Sequence, residues 1–307
     1  MQRTTLIGLA GALGVTLVWT GWIVVTRYGV TNTLNAYDLA AMRYGIAGTI
    51  VLPWVIKIRA WQGLTLKSTA VLAISSGFPY ALLSYSGFTY APAAHGGVFM
   101  NGALPAFTVL VAWLWMRERI HRTQAVGLIA IAIGGVLVGS SSLFSETAGD
   151  YWIGDLFFLG ATTFLAVYMV ATKAWDVKAG QMLFGVTVIN AILYLPLWFF
   201  FLPSKVAVAP INEILLQAVY QGLMPSFVGM YFMLLAVRHL GANRTAVFVS
   251  MVPVLAALLA VPTLGEIPTV LAWSGMGIVS LGALFALGLF KPKPLPVPAR
   301  ETPGAGS

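Results

Sequence analysis

The sequence predicts an all-α, polytopic membrane protein of ten transmembrane helices, built from two inverted five-helix repeats. Three observations carry this. Of the 307 residues, 59% are hydrophobic and 8% charged, with a mean hydropathy of +0.88; a soluble domain carries about 25% charged residues. The apolar residues fall into ten runs, each near the ~20 residues that cross a bilayer. The chain also repeats itself without a gap. Pro105 and Pro253, Glu118 and Glu266, Gly127 and Gly275, and Gly134 and Gly282 are each separated by 148 positions (253−105). Ala94 and Ala242, Leu110 and Leu258, and Ala112 and Ala260 keep the same offset. Internal repeats of this kind are a signature of membrane proteins whose site lies between the repeats.

Charges, Pro and Gly punctuate the runs at about 5–27, 35–57, 68–90, 93–116, 123–142, 152–173, 180–202, 212–236, 244–263 and 268–290. The first follows Arg3, is too long for the apolar core of a signal peptide, and lacks a clear small-residue cleavage site; it reads as the first span. Gly8, Gly11, Gly14 and Gly21 thin that run, and Gly96, Gly97 and Gly102 thin the fourth; small residues let helices approach closely. Pro79, Pro105, Pro225 and Pro253 interrupt runs three, four, eight and nine, where each removes a backbone bond and can hinge a helix. Leu52-Pro53 and Leu195-Pro196 match near the ends of runs two and seven, and Trp22 and Tyr168 occupy similar places in runs one and six. The expected organisation is a first repeat over 1–143, a second over 150–290, and a Pro-rich, disordered cytoplasmic tail over 291–307.

Basic residues orient the stack. With the N-terminus cytoplasmic, Arg3, Lys57, Arg59, Lys67, Arg117, Arg119, Arg122, Lys173, Lys178, Arg238, Arg244, Lys291, Lys293 and Arg300 all fall on the cytoplasmic side. Arg27 and Lys205 fall outside, with acidic Glu146 and Asp150. Both termini are thus expected in the cytoplasm, and the expected home is an inner-membrane-type bilayer. Five spans per repeat turn the second repeat over, so Glu118 and Glu266 belong to opposite faces.

Two five-helix inverted repeats resemble the drug/metabolite transporter superfamily, specifically its EamA-type members. The residues that carry the likeness are Trp19-Thr-Gly-Trp22, Arg43, Pro105 with Glu118, and Pro253 with Glu266, over about residues 5–290. Within the superfamily the chain looks most like the YddG-type exporters of aromatic amino acids. The resemblance implies alternating access and places the fourth helix beside a central cavity.

Polar groups within spans are costly unless satisfied, so they are the first candidates for function. Asn101 lies one turn before Pro105, on a helical face with Ala94 and Val98, and its amide suits a substrate or a helix–helix bond. Ser250 is its approximate counterpart before Pro253. His95, at the start of run four, suits proton transfer or substrate contact, with a water-facing interfacial histidine the plainer expectation. Trp19, Trp22, Tyr80, Tyr85, Tyr168, Tyr220 and Tyr231 lie away from helix ends, unlike the belt-like Trp54, Trp61 and Trp152. Trp19, Trp22, Tyr80, Tyr168 and Tyr231 are taken with Asn101, Ser250 and His95 as the substrate-binding set; packing is the alternative for each. Arg43 can clamp a carboxylate, although pairing with a backbone carbonyl is the stronger expectation. Gln217, Gln221 and Asn190 read as interhelix bonds.

Asp38, Asp155 and Glu213 fall near helix starts, where a carboxylate suits the dipole, and no acid lies mid-span. The absence of a buried acid disfavours organic dications and tight proton coupling. A single intramembrane arginine disfavours phosphorylated substrates, which need two or more cations. The net charge of +8 is scattered in short clusters with no basic face, so nucleic acid is not an expected partner. There is no Cys, no metal-ligand motif and no phosphate-binding loop, so neither a cofactor nor built-in ATP hydrolysis is expected. The reading is a secondary transporter, not an enzyme, that exports a small amino-acid substrate, aromatic ones preferred, across a lipid bilayer. A broad exporter of lipophilic drugs or metabolites is the first alternative; a membrane enzyme would need clustered Asp, His or Glu at a membrane face, and the repeat disfavours a channel.

Overall fold

The computed structural model describes residues 2–141 and 149–289. The expected outer loop around Glu146 and the tail beyond 290 lie outside the described residues. Among the described residues the chain is helical without strands, and ten helices follow the predicted runs: α1 Thr4–Thr31, α2 Ala36–Lys57, α3 Leu66–Tyr90, α4 Ala93–Met116, α5 Arg122–Ser140, α6 Tyr151–Ala174, α7 Ala179–Phe201, α8 Ile211–Leu240, α9 Ala242–Leu264 and the shorter α10 Val270–Ala286. Nine are long and apolar enough to cross a membrane. Successive helices reverse direction, so the ends of α1 and α9 share one face of the bundle, here the Glu266 face. The ends of α4 and α6 share the other, the Glu118 face.

The helices loosen beside four of their prolines, while Pro53, Pro196 and Pro262 stand in unbroken helix. A proline has no N–H to donate and its ring crowds the carbonyl four residues back, so the neighbouring turn can loosen. Accordingly α3 breaks at Ser76-Gly77, just before Pro79. In α4 the turn over Gly97–Gly102 widens to π geometry ahead of Pro105, and the Ala103 amide bonds the Val98 carbonyl at 2.8 Å. In α8 the wide turn is Met224–Gly229, around Pro225. In α9 the helix ends at Val249 and restarts at Val252, beside Pro253. Asn190 of α7 repairs the break in α3: its side-chain oxygen accepts from the Phe78 amide at 2.8 Å, and its nitrogen donates to the Ala73 carbonyl at 3.1 Å.

The repeat is also visible in the packing. Helices α5 and α10 cross through their repeat glycines in exchanged pairs. A Cβ on Gly134 would lie 2.6 Å from the Gly275 carbonyl oxygen, and one on Gly127 would lie 2.6 Å from that of Gly282. Nothing larger than glycine fits there. Helices α4 and α9 meet at Gly97, where a Cβ would come within 2.9 Å of the Pro253 backbone. From Val252 onward, toward the Glu266 face, α9 packs on α1, the start of α4 and α10. Before that point, toward the Glu118 face, it packs on α1 and α8, with Asn243, Arg244, Val247 and Met251 exposed. Along α9, then, packing is closer toward the Glu266 face.

Candidate functional site

At the Glu266 face an ion pair joins the two repeats. Arg27 Nε lies 2.7 Å from Glu266 Oε1, with the side chains 14% and 18% exposed. The guanidinium also donates to the carbonyls of Phe88 and Thr89, and Glu266 Oε2 accepts from the Ala93 amide at the start of α4 at 2.8 Å. One carboxylate therefore binds the end of α1 to the start of α4. Beside it lies a cavity of about 380 Å³ lined by Arg27, Ala94, His95, Tyr151 and Glu266 among others.

His95 is buried in this wall and its Nδ1 lies 2.8 Å from Asp155 Oδ1. The expectation of a water-facing histidine is thus overturned: the carboxylate of α6 draws the ring inward, and Phe99 and Tyr151 flank it. The expectation that no acid is buried falls with it. Asp155 and Asp38 are both near helix starts, yet both are buried; Asp38 accepts from Trp198 Nε1 and the Lys205 amide, each at 3.0 Å.

Below the Arg27 pair a polar cluster crosses the bundle. Gln221 Oε1 accepts from Trp22 Nε1 and from the Tyr85 hydroxyl, each at 2.8 Å. Its nitrogen donates to Thr26 Oγ1 and Gln217 Oε1, each at 3.0 Å. The glutamines are the interhelix bonds anticipated from sequence. Trp22 thereby belongs to a packed network, with Tyr85 and Phe88 against its ring. Tyr80 is buried beside Arg43, and Trp19 is half-buried near Gly229. Arg43 reaches the Tyr85 hydroxyl, with Tyr44 and Tyr80 around it. It bonds no carbonyl among the described residues, so the expected carbonyl pairing is overturned: the guanidinium meets side-chain phenols instead.

Asn101 lies on the wide turn of α4, half-buried, with no bond to the protein among the described residues. The wide turn departs from the 3.6-residue spacing on which its shared face with Ala94 and Val98 depends, and those two are fully buried. Ser250 donates to its own helix, to the Val247 carbonyl at 2.8 Å. Tyr168 is half-buried in α6. Tyr231 is 60% exposed on an outward stripe with Met230, Leu234 and Val237. It faces the surroundings of the bundle rather than the interior, because the wide turn at 224–229 rotates the rest of α8.

At the Glu118 face a second ion pair joins the repeats. Lys173 Nζ lies 2.7 Å from Glu118 Oε1, with exposures of 63% and 45%. Neither cation was singled out from sequence, although a signal was present. Arg27 and Lys173 are 146 positions apart (173−27), as are Trp22 and Tyr168 and also Pro79 and Pro225. The acids are the repeat mates Glu266 and Glu118. Each pair thus joins a cation of one repeat to an acid of the other.

Ten helices in two repeats with inter-repeat ion pairs at both ends define a polytopic transporter-like membrane protein. The model of the EamA-like transporter family matches residues 6–140 and 152–288, one match per repeat, and the chain belongs to that family. It is 26% identical to the uncharacterized transporter YyaM of Bacillus subtilis (strain 168), over 82% of this chain and 84% of the relative. It is 27% identical to a probable terminal-alkyne amino-acid exporter of Streptantibioticus cattleyicolor, over 84% of each chain. A protein of known crystal structure shares the fold with a TM-score of 0.61 and 21% identity, covering 94% of this chain and 98% of that one.

Proposed function

We propose that this transporter is a secondary exporter of amino acids, aromatic ones preferred, working by alternating access in an inner membrane with both termini cytoplasmic. The observation that carries the proposal is the pair of ion pairs. They join equivalent positions of inverted repeats, one shielded at the Glu266 face and one exposed at the Glu118 face. In this reading the Glu266 face is extracytoplasmic, and the shielded Arg27–Glu266 pair holds the repeats together there, beneath a shallow outer cavity. Rocking one repeat against the other exchanges the roles: Arg27 and Glu266 separate as Lys173 and Glu118 become shielded. Closure on substrate needs no ATP, because the gradient of the exported molecule or of a coupled ion supplies the direction.

The choice of amino acids rests on the relative named as an amino-acid exporter and on the aromatic interior of the bundle. Half-buried Trp19 and Tyr168 keep some ring surface open, with Trp22 and Tyr80 packed behind them, and the amide of Asn101, unbonded among the described residues, offers a donor and an acceptor. His95 and Asp155 are a proton-carrying candidate at the Glu266 face, which reopens coupling to a pH gradient. The test is flux of labelled tryptophan, phenylalanine, alanine and a lipophilic cation in proteoliposomes, with and without a pH gradient. Tryptophan and phenylalanine should move fastest. Equal movement of the lipophilic cation would replace the amino-acid reading with broad drug export.

A further inference from the structure

Charge inside the bundle is matched nearly everywhere. Arg27 has Glu266, His95 has Asp155, and Asp38 has Trp198 and the Lys205 amide. Arg43 is the exception among these. It forms no ion pair among the described residues, and the groups around it are the neutral phenols of Tyr44, Tyr80 and Tyr85. Two of these phenols are already committed as donors: Tyr85 to Gln221 at 2.8 Å and Tyr44 to the Ser76 carbonyl at 3.3 Å. They can lend Arg43 an oxygen lone pair but no negative charge. A guanidinium carries five donors and full charge, and an unpaired arginine within a bilayer is costly and functional by default.

Its position says where the missing partner comes from. Arg43 is half-buried on α2, beside buried Tyr44 and between buried Ala40 and Ala47, with exposed Ile50 and Trp54 two and three turns further along the same side. Tyr44 and Tyr85 beside it are fully buried, yet Arg43 keeps part of its own surface open. Its guanidinium ends among buried Tyr44, Tyr80 and Tyr85, on the interior side of α2. The Trp22–Gln221–Tyr85 network fixes the phenol that Arg43 touches, so the guanidinium is held in place before any ligand arrives.

We propose that Arg43, held by Tyr85 within the tyrosine cluster, is the subsite for the carboxylate of the transported molecule. One planar fork matches one carboxylate in bidentate fashion. A phosphate dianion would ask for a second cation, which this cluster lacks. The proposal deepens the amino-acid reading above and rests on it for the rest of the ligand.

The test uses the purified full chain and four probes: phenylalanine, 3-phenylpropionate, phenylalanine amide and phenethylamine, with affinities from calorimetry. The wild type should bind the two acids about tenfold or more tighter than the amide and the amine, as expected when bonds to a charged group are lost. Arg43→Gln should erase that preference and Arg43→Lys should keep part of it. The wild-type comparison stands even if Arg43→Gln fails to fold. Equal binding of acid and amide by the wild type overturns the subsite, as does binding of none of the four, or a folded Arg43→Gln variant that still prefers acids. Tryptophan flux without acid preference would remove the subsite and leave the exporter reading. Acid preference lost in Arg43→Gln, with no amino-acid flux, would do the reverse.

Discussion

Arg27–Glu266 and Lys173–Glu118 occupy equivalent positions in the two repeats and have the same length, 2.7 Å, yet they differ in surroundings. The first is shielded, holds the Ala93 amide and draws in two carbonyls; the second is exposed to solvent on both sides. Breaking a shielded pair by removing one partner costs about 3–5 kcal/mol, because a charge is left behind without water. An exposed pair contributes about 0–1 kcal/mol. Sequence symmetry thus coexists with energetic asymmetry, and the asymmetry lies in burial rather than in bond length. Packing follows the same division, since α4 and α9 touch at Gly97 and Pro253 while the earlier half of α9 is exposed toward the Glu118 face.

The comparison breaks most readily at Glu266. Glu266→Ala should lower stability by about 3 kcal/mol, read as a drop in the thermal unfolding midpoint of the purified protein. Loss of under about 1 kcal/mol would mean that the pair is effectively solvated. Next is the glycine crossing that anchors both repeats. Gly134→Leu drives a side chain into the Gly275 carbonyl and should cost about 1–3 kcal/mol in the same assay. Asn101→Ala should leave the unfolding midpoint unchanged, since the amide bonds nothing among the described residues. It should raise the transport KM roughly 3- to 10-fold, the equivalent of one lost hydrogen bond; an unchanged KM with a lower midpoint would make Asn101 structural. Lys173→Gln should have the smallest effect, below about 1 kcal/mol. A loss as large as that of Glu266→Ala would erase the asymmetry between the two faces.

The bundle was legible because its signals are local. A bilayer sets the length of a span, so each predicted run coincides with a helix to within a few residues. Prolines at 79, 105, 225 and 253 mark four loosened turns because the missing N–H acts within one turn of itself, whereas the wide turn at Phe184–Val188 of α7 has no such signal. The repeat glycines identified by their spacing turned out to face each other across α5 and α10. The site was less legible because it depends on partners far apart in the chain. His95 reads as interfacial until Asp155, 60 positions on, is brought beside it. Arg43 reads as a carbonyl partner until the buried phenols of α2 and α3 surround it. Tyr231 reads as a cavity aromatic until the wide turn at 224–229 sends it outward. The Arg27 and Lys173 pairing was within reach, since the 146-position offset of Trp22 and Tyr168 leads directly from one cation to the other.

The central claim is that the two faces open in opposition. The chain contains no Cys, so spin labels can be placed at will on exposed positions. One pair, Asn32 and Ile267, reports the Glu266 face, and another, Arg119 and Asp176, reports the Glu118 face. Distances within each pair should be measured by double electron–electron resonance in lipid, before and after Glu266→Gln and with saturating tryptophan. The account predicts a narrow, short Asn32–Ile267 distribution in the unliganded wild type. With Glu266→Gln that distance should lengthen while the Arg119–Asp176 distance shortens, and tryptophan should populate the same exchanged state. Distances that stay fixed in every condition, or that lengthen together at both faces, would contradict it.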